Sequence, residues 1–506
     1  MKMKQDLPNI LFITADQWRG DTVAYAGNKI VKTQNIDSLA AEGVAFLQHY
    51  AAAAPCSPAR AAMYTGLYQM NNRVTTNGTP LAGSFDNMAR AARRAGYTPT
   101  LFGYTDIAAD PREHAPNDPA ARTYEGVLPG FDVGQSLFEN AAPWKNWLRK
   151  RGHTLATLKD PYLLPPPDGE VVPTSAAAFG EEETQTAYLA GRFLDWFDEQ
   201  CTERPWFAHL SLIHPHPPFV APAPFNDMYA PDAVPPLKGG DAADEVFDRH
   251  PLVKLLREQS DASSFVPGIE GSVAEFSAHD FQRIKGVYYG LISEVDAQLG
   301  HIFDHLKASG AWENTFIVFT SDHGEMMGDH AMLGKGGFYP QSQHVPLIMK
   351  LPYCGPQPAT HAKTSAVDLF PTLLDLMQLT PENDVNGQSL LPFLKGEKPE
   401  NWRDSVIWEF DFRHLQQNLQ LEKCVLPEDH QLMVRMCDNH LFAYSPSLPP
   451  VLFDLQADPD CCRNLWETED GKRMASPLLQ SMLQERMRAA NDTLVSQNVL
   501  FNNANG

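Results

Sequence analysis

Cysteine is scarce in this chain: 506 residues contain seven, at Cys56, Cys201, Cys354, Cys424, Cys437, Cys461 and Cys462. No repeated CxxC spacing suggests structural zinc, and a framework of disulfides is not expected. Long apolar runs are missing too. The N-terminal "NILFITA" is too short to cross a bilayer, carries no small-residue cleavage site and runs straight into the polar "DQWRGD". The expectation is a protein with no signal peptide and no membrane partner, working in the cytoplasm. Cations are outnumbered, 40 Lys plus Arg against 62 Asp plus Glu, for a formal net charge of -22. That balance argues against nucleic acid or an anionic membrane surface as partner. An anionic substrate would require a site locally positive against the field of the whole chain. Internal repeats and low-complexity tracts are absent.

What is present is an ordinary globular composition, 43% hydrophobic and 20% charged, long enough for one large domain and a smaller one. Residues 8–15, "PNILFITA", read as a buried strand, as do residues 206–213, "WFAHLSLI", and the start of residues 315–325, "TFIVFTSDHGE". "NIDSLAAEGVAF" reads as a helix ending at Gly43. Val295, Leu299, Ile302 and Leu306 share one face of another helix ahead of the third strand. Apolar strands alternating with helices predict an α/β fold built on a large, mostly parallel sheet flanked by helices. In such sheets ligands gather beyond the carboxyl ends of the strands, and each strand here delivers acidic or imidazole groups there. The catalytic domain is placed at residues 1–400, with a proline-rich, aperiodic insertion at about 217–271 serving as a lid or an oligomer contact. Residues 401–506 hold "SVIWEFDF", "HQLMVRM", "HLFAYSP" and "VLFDLQ", which predict a smaller C-terminal antiparallel sheet, followed by an amphipathic helix over "SPLLQSMLQERMRAANDTLVS".

Taken alone, Cys56 in "AAAAPCSPARAAMYTG" reads as a small buried hydrophobe. Its neighbours change that. Pro58 suits a first helical turn, which places Cys56 near a helix N-terminus where anions are stabilised, and Arg60 adds a full positive charge. "CSPAR" matches C-x-P-x-R, and at this point the chain resembles the sulfatase family of the alkaline phosphatase-like superfamily. In that family the motif's cysteine is oxidised to formylglycine, the catalytic nucleophile, by a separate maturation enzyme. "PNILFITADQ", "PHPPF", "SDHGE" and "LFDLQADPDCCRNL" extend the resemblance along nearly the whole chain.

The resemblance implies a metal site at Asp16, Gln17, Asp322 and His323, completed by the modified Cys56. An oxygen-rich set of this kind suits one divalent ion, with the imidazole favouring manganese over calcium or magnesium. Arg60 is implied to orient position 56, Lys335 in "LGKGGFY" to contact the substrate, and His216 in "HPHPPF" to sit near the substrate or leaving group. His214, two residues away, ranks below His216 as a structural histidine. Asn77 is implied as a further polar contact. The chemistry implied is attack by one hydroxyl of the hydrated aldehyde on sulfur or phosphorus, followed by collapse of the hemiacetal through the second hydroxyl.

Three departures from the arylsulfatase pattern stand out. Gln17 replaces the second of paired aspartates, His323 replaces an asparagine, and "GYTD", with Tyr104, Thr105 and Asp106, replaces "GKWH". The first two, together with Tyr104 in place of a lysine, resemble the phosphonate monoester hydrolase branch. Asp106 beside an anionic substrate is unfavourable unless it pairs with a cation or faces away. The expected activity is hydrolysis of phosphonate monoesters and phosphodiesters with promiscuous sulfate ester hydrolysis. The alternatives are a dedicated sulfatase and, from another class, a metal-dependent anion-binding protein without turnover. The expected partners are a small anionic ester and the maturation enzyme, and the expected assembly is a homodimer or homotetramer.

Overall fold

A computed structural model describes residues 7–155, 160–164, 170–200, 204–239, 250–418 and 426–490. Thirteen strands form two sheets among these residues: β1 (Asn9–Ala15), β2 (Val44–Tyr50), β3 (Ala53–Ala54), β4 (Pro99–Gly103), β5 (Asp132–Ser136), β6 (Phe207–Leu212), β7 (Thr315–Thr320), β8 (Leu347–Lys350), β9 (Thr360–Ser365), β10 (Val406–Asp411), β11 (Gln431–Met436), β12 (His440–Tyr444) and β13 (Val451–Asp454). The large sheet has the order β5-β4-β6-β1-β7-β8-β2-β9. Only β8 runs against the rest, pairing antiparallel with both β7 and β2. The α/β class and the mostly parallel sheet expected from the sequence are what the chain adopts.

The strands are apolar on both faces because helices cover both. In β1, Leu11, Ile13 and Ala15 belong to the core under the long helix Ala278–Ala308, whereas Ile10 and Phe12 belong to the opposite core with Ala61, Met63 and Tyr64. This period-two division recurs in β7, where Ile317 and Phe319 face one core and Phe316 and Val318 the other. Burial of each such side chain stabilises the fold by about 1.5–3 kcal/mol. Ser277 and Asp280 cap the long helix reciprocally, which fixes where its 31 residues begin. That helix reaches the strand ends through Tyr288, whose hydroxyl donates to the Gln17 carbonyl at 2.8 Å and accepts from the Arg19 amide at 3.0 Å.

The small sheet, in the order β13-β12-β11-β10-β3, is antiparallel through its four C-terminal strands. Its fifth strand departs from the sequence expectation. β3 comes from the N-terminal part of the chain and joins β10 in parallel, with Ala53 beside Glu409 and Ala54 beside Phe410. Two alanines carry too little pattern to be read as a strand. The C-terminal helix also differs in its start: it spans Glu469–Arg488, because the Thr468 hydroxyl accepts from the Gly471 amide and caps it ahead of the expected segment. The expected continuation past residue 490 lies outside the described residues. The segment expected as an insertion contains one α-helix among its described residues, Pro251–Glu258, with residues 240–249 outside the description. Cys56, Cys354, Cys437 and Cys461 are free thiols, while Cys201 and Cys424 lie outside the described residues. No helix among the described residues is long and apolar enough to cross a membrane.

Candidate active site

Four adjacent strands, β4-β6-β1-β7, bring their carboxyl ends to one place. Asp16 and Gln17 follow β1, Asp322 and His323 follow β7, His214 and His216 follow β6, and Tyr104, Thr105 and Asp106 follow β4. The fifth contribution is the helix Cys56–Thr65, which starts two residues after β3, so the small sheet fixes where its N-terminus lies. Gln17 and Asp106 sit at φ 64° and 51°, a left-handed conformation that non-glycine residues rarely adopt. Such strain persists where the surrounding contacts over-determine it, as they do at functional sites.

Arg60 is the hub. Fully buried, it donates through Nε to Asp322 Oδ2 at 2.9 Å, through Nη2 to Asp16 Oδ2 at 3.0 Å and through Nη1 to Ser211 Oγ at 2.9 Å. Its guanidinium carbon lies 4.4 Å over the Tyr104 ring, and the Tyr104 hydroxyl donates to Asp16 Oδ2 at 2.6 Å. A buried cation between two buried carboxylates is held by mutual compensation, and its loss would cost about 3–5 kcal/mol.

Asp16, Cys56, Asp322 and His323 can each turn one donor atom toward a common point, all within 4.8 Å of one another. Three observations fit a divalent cation there. Asp16 Oδ1 is buried without a hydrogen-bond partner, although its other oxygen has two. His323 is 3.1 Å through Nδ1 from the Gly324 carbonyl, which only accepts, so the neutral ring keeps its lone pair at Nε2. That Nε2 is 3.2 Å from Cys56 Sγ, and burial holds the imidazole pKa below its usual value, in the neutral form a ligand requires. Burial alone would raise the Asp16 carboxyl, but His216 and Arg60 outweigh it and keep it well below the ordinary range. Burial, reinforced by Asp16, pushes the Cys56 thiol up, so the unmodified residue is no thiolate nucleophile in this environment.

Gln17 extends the cluster. Its amide N–H donates to Asp322 Oδ1 at 3.1 Å, its side-chain nitrogen donates to Glu325, and its side-chain oxygen accepts from Lys335 Nζ at 2.6 Å. Glu325 is itself fully buried and accepts from the Met327 and Gly334 amides at 3.0 and 2.6 Å, which shapes the loop leading to Lys335. Burial works against the Lys335 ammonium, but Asp16, Asp322 and Glu325 raise its pKa and keep it charged. His216 is 2.7 Å through Nδ1 from the Pro217 carbonyl, and burial with Lys335 lowers its pKa to about 3. Gln17, His216 and Lys335 face a cavity of 370 Å³.

The remaining expected residues take other places. Asn77 is exposed and its side-chain oxygen accepts from the Ser57 amide at 2.9 Å, so it caps the helix that carries Cys56. The Thr105 hydroxyl is committed to backbone, donating to the Gly126 carbonyl and accepting from the Leu128 amide, both at 2.8 Å. Asp106 lies 4.0 Å from Arg60, and burial raises its pKa to about 7, so it is partly protonated near neutrality and repels an anion less than its sequence position implies. His214 bonds Glu294 at 3.2 Å, which also accepts from the Thr184 and Thr186 hydroxyls, a structural network. Sequence reasoning passed over Ser211 and Glu325. A serine interrupting the apolar β6 and a glutamate closing "SDHGE" were the available signals.

Residues 8–379 match the sulfatase family, and residues 328–489 match the C-terminal region described for N-sulphoglucosamine sulphohydrolase. The chain belongs to the sulfatase family and has its alkaline phosphatase-like fold, which makes it a sulfatase-family hydrolase. The family implies a divalent metal and a formylglycine derived from cysteine. Among curated relatives, it is 33% identical over 504 residues to the multifunctional alkaline phosphatase superfamily protein PehA of Trinickia caryophylli, covering 96% of both chains. Among solved structures, the phosphonate monoester hydrolase of Agrobacterium radiobacter superposes with TM-score 0.92 at 44% identity, over 96% of this chain and 97% of that one. The phosphonate monoester hydrolase SpPMH of Silicibacter pomeroyi superposes with TM-score 0.88 at 35% identity, over 97% of each.

Proposed function

We propose that the protein is a formylglycine-dependent metal hydrolase of phosphonate monoesters and phosphodiesters that also turns over sulfate monoesters. The observation that carries this reading is Tyr104, a neutral phenol donating 2.6 Å to Asp16 at the position where many sulfatases place a lysine. Burial raises its pKa well above the usual value, so it brings no charge of either sign. Arg60 is spent on Asp16 and Asp322, which leaves Lys335 as the charged side chain on the cavity. One ammonium beside a divalent ion suits a monoanionic ester better than a dianionic phosphate monoester, since each unneutralised charge is costly in a buried site. The likeness to two phosphonate monoester hydrolases over nearly the full chain supports the same choice.

A divalent ion held by Asp16, Asp322, His323 and position 56, with Gln17 alongside and manganese as the proposed metal, would supply Lewis acidity, and hydrated formylglycine would supply the attacking hydroxyl. The chain's own residues do the rest. Arg60 holds Asp16 and Asp322 in fixed orientation, and the N-terminus of Cys56–Thr65 adds partial positive charge beside position 56. Lys335, aimed by Gln17, offsets charge on the non-bridging oxygens of the ester. His216, with Nδ1–H directed to the Pro217 carbonyl, stays neutral and presents its Nε2 lone pair as a hydrogen-bond acceptor on the cavity.

The test is kcat/KM for an aryl phosphonate monoester and an aryl sulfate with the same leaving group, on metal-loaded protein whose Cys56 conversion has been confirmed by mass. A preference for phosphonate is expected. A sulfate preference of about a hundredfold, roughly 2.7 kcal/mol of transition-state stabilisation, would make this a dedicated sulfatase instead.

A further inference from the structure

The apolar surface of the cavity in front of the metal-ligand cluster comes mainly from three separate parts of the chain. Leu256 comes from the helix Pro251–Glu258, Phe265 from the turn after it, Met332 and Leu333 from the loop before Lys335, and Phe410 and Leu415 from the end of β10 and beyond. Among the described lining residues, Lys335 is the only one with a formal charge; no Asp, Glu or Arg faces the space. Two imidazoles, His216 and His414, also line it. In a chain of net charge -22 an acid-free pocket is a specific feature of this surface.

Position 56 is 4% exposed and lies at the inner end, with Gln17, His216 and Lys335 between the cluster and the cavity. In an in-line displacement the alcohol departs opposite the nucleophile. With the nucleophile on the buried side, the alcohol leaves toward the cavity. A cavity of about 150 Å³ with apolar walls already accommodates benzene, so 370 Å³ has room for a substituted ring beside the anionic centre.

We propose that this cavity is the alcohol subsite and that it selects esters of uncharged, apolar alcohols, aromatic ones above all, with Phe410 as its principal specificity determinant. The proposal rests on the hydrolase reading above and deepens it by naming the alcohol. Phe410 ties the small sheet to the chemistry in two ways. It pairs in register with Ala54, two residues before Cys56. Its ring also lies against Gly336, at φ 113°, where a Cβ would come within 2.7 Å of it, so only glycine lets the ring support the turn that follows Lys335. Phe265 and Phe410 offer ring faces and edges to an aromatic group, Leu256, Met332, Leu333 and Leu415 add aliphatic surface, and the polar side chains between them, Gln259, Ser260 and Ser264, are uncharged.

The experiment uses the full chain, metal-loaded and with Cys56 converted, and a series of aryl phosphonate monoesters whose phenols match in acidity but carry a neutral, a trimethylammonium or a carboxylate substituent. The neutral ester should exceed both charged ones by about tenfold or more in kcat/KM, chiefly through KM. Phe410→Ala should lower kcat/KM for the aryl ester by about tenfold or more and for a methyl ester by much less. Leu256→Glu, on a half-buried helix position less tied to the core, should turn the preference toward the trimethylammonium ester. The same alcohols are also presented as sulfate monoesters. If sulfate proves the better group, the hydrolase reading changes but the alcohol preference should persist. Equal rates across the alcohols with both groups, a Leu256→Glu enzyme with unchanged preference, or selectivity that follows the substituent on phosphorus would overturn the subsite.

Discussion

The inner and outer ends of the site are built on opposite principles. At the inner end every polar side chain is buried and nearly every polar atom has a named partner: Arg60 spans Asp16 and Asp322, Tyr104 braces Asp16, and Glu325 braces Gln17. The outer end is a cavity walled by apolar and neutral polar side chains, with Lys335 the single formal charge among its described lining residues. The first region comes from the ends of four neighbouring strands of one sheet and the start of the helix Cys56–Thr65, the second chiefly from the segment around Pro251–Glu258, a loop and the other sheet. Fixed dipoles and charges stabilise a transition state only when they do not have to reorganise. A surface that merely excludes water from an alcohol tolerates variation far better. Substitutions at the inner end should therefore act on kcat, and those at the outer end on KM.

The largest expected effect is at position 56. Cys56→Ala should reduce turnover by about 10⁴-fold or more, the scale seen when a nucleophile is removed. The melting temperature should stay close to that of the parent, because the thiol is a small side chain at a helix start. Retained activity would remove the nucleophile assignment and with it the contrast between the two ends. Next is Glu325→Ala, which leaves the metal-ligand cluster in place but frees the Gln17 amide and the Gly334 loop. Both metal affinity, read by titration, and kcat should fall by about 10–100-fold, the range for partners that orient a metal site. A loss in stability alone would make Glu325 a packing residue. Tyr104→Phe should cost the 2.6 Å bond to Asp16, about 0.5–1.5 kcal/mol, seen as a several-fold drop in kcat. The smallest effect belongs to Leu415→Ala on the cavity wall, a few-fold rise in KM for an aryl ester with kcat nearly unchanged. If that substitution lowered kcat as much as Tyr104→Phe does, the division into a rigid end and a permissive end would not stand.

Much of the inner end was legible from the chain. β1, β6 and β7 announce themselves as apolar runs that break into "DQ", "HPH" and "SDH", because a buried parallel strand cannot carry charge until it emerges from the sheet. "CSPAR" gave a helix start with an arginine one turn later, and both lie where that pattern implies. Other assignments needed the coordinates. Thr105 adjoins Tyr104 yet hydrogen-bonds the backbone of residues 126–128, since successive residues leaving a strand point to opposite sides. Asn77 caps the Cys56 helix at Ser57 from twenty positions along the chain, a contact no local pattern encodes. Asp106 looked like a liability; burial near Arg60 raises its pKa and softens the conflict.

The sequence by itself therefore determined the α/β class and the strand ends that bear chemistry, through local rules of apolar periodicity and helix-start chemistry. Most of the groups expected at the inner end came from the family resemblance that the motif around Cys56 carries. Tertiary structure alone decided that β3 completes the small sheet, that Ser211 and Glu325 support Arg60 and Gln17, and that Leu256, Phe265, Met332 and Phe410 wall one cavity. The physical reason is separation along the chain. Apolar side chains carry no directional signature, so residues 256, 332 and 410 look like any core positions until packing leaves a space between them.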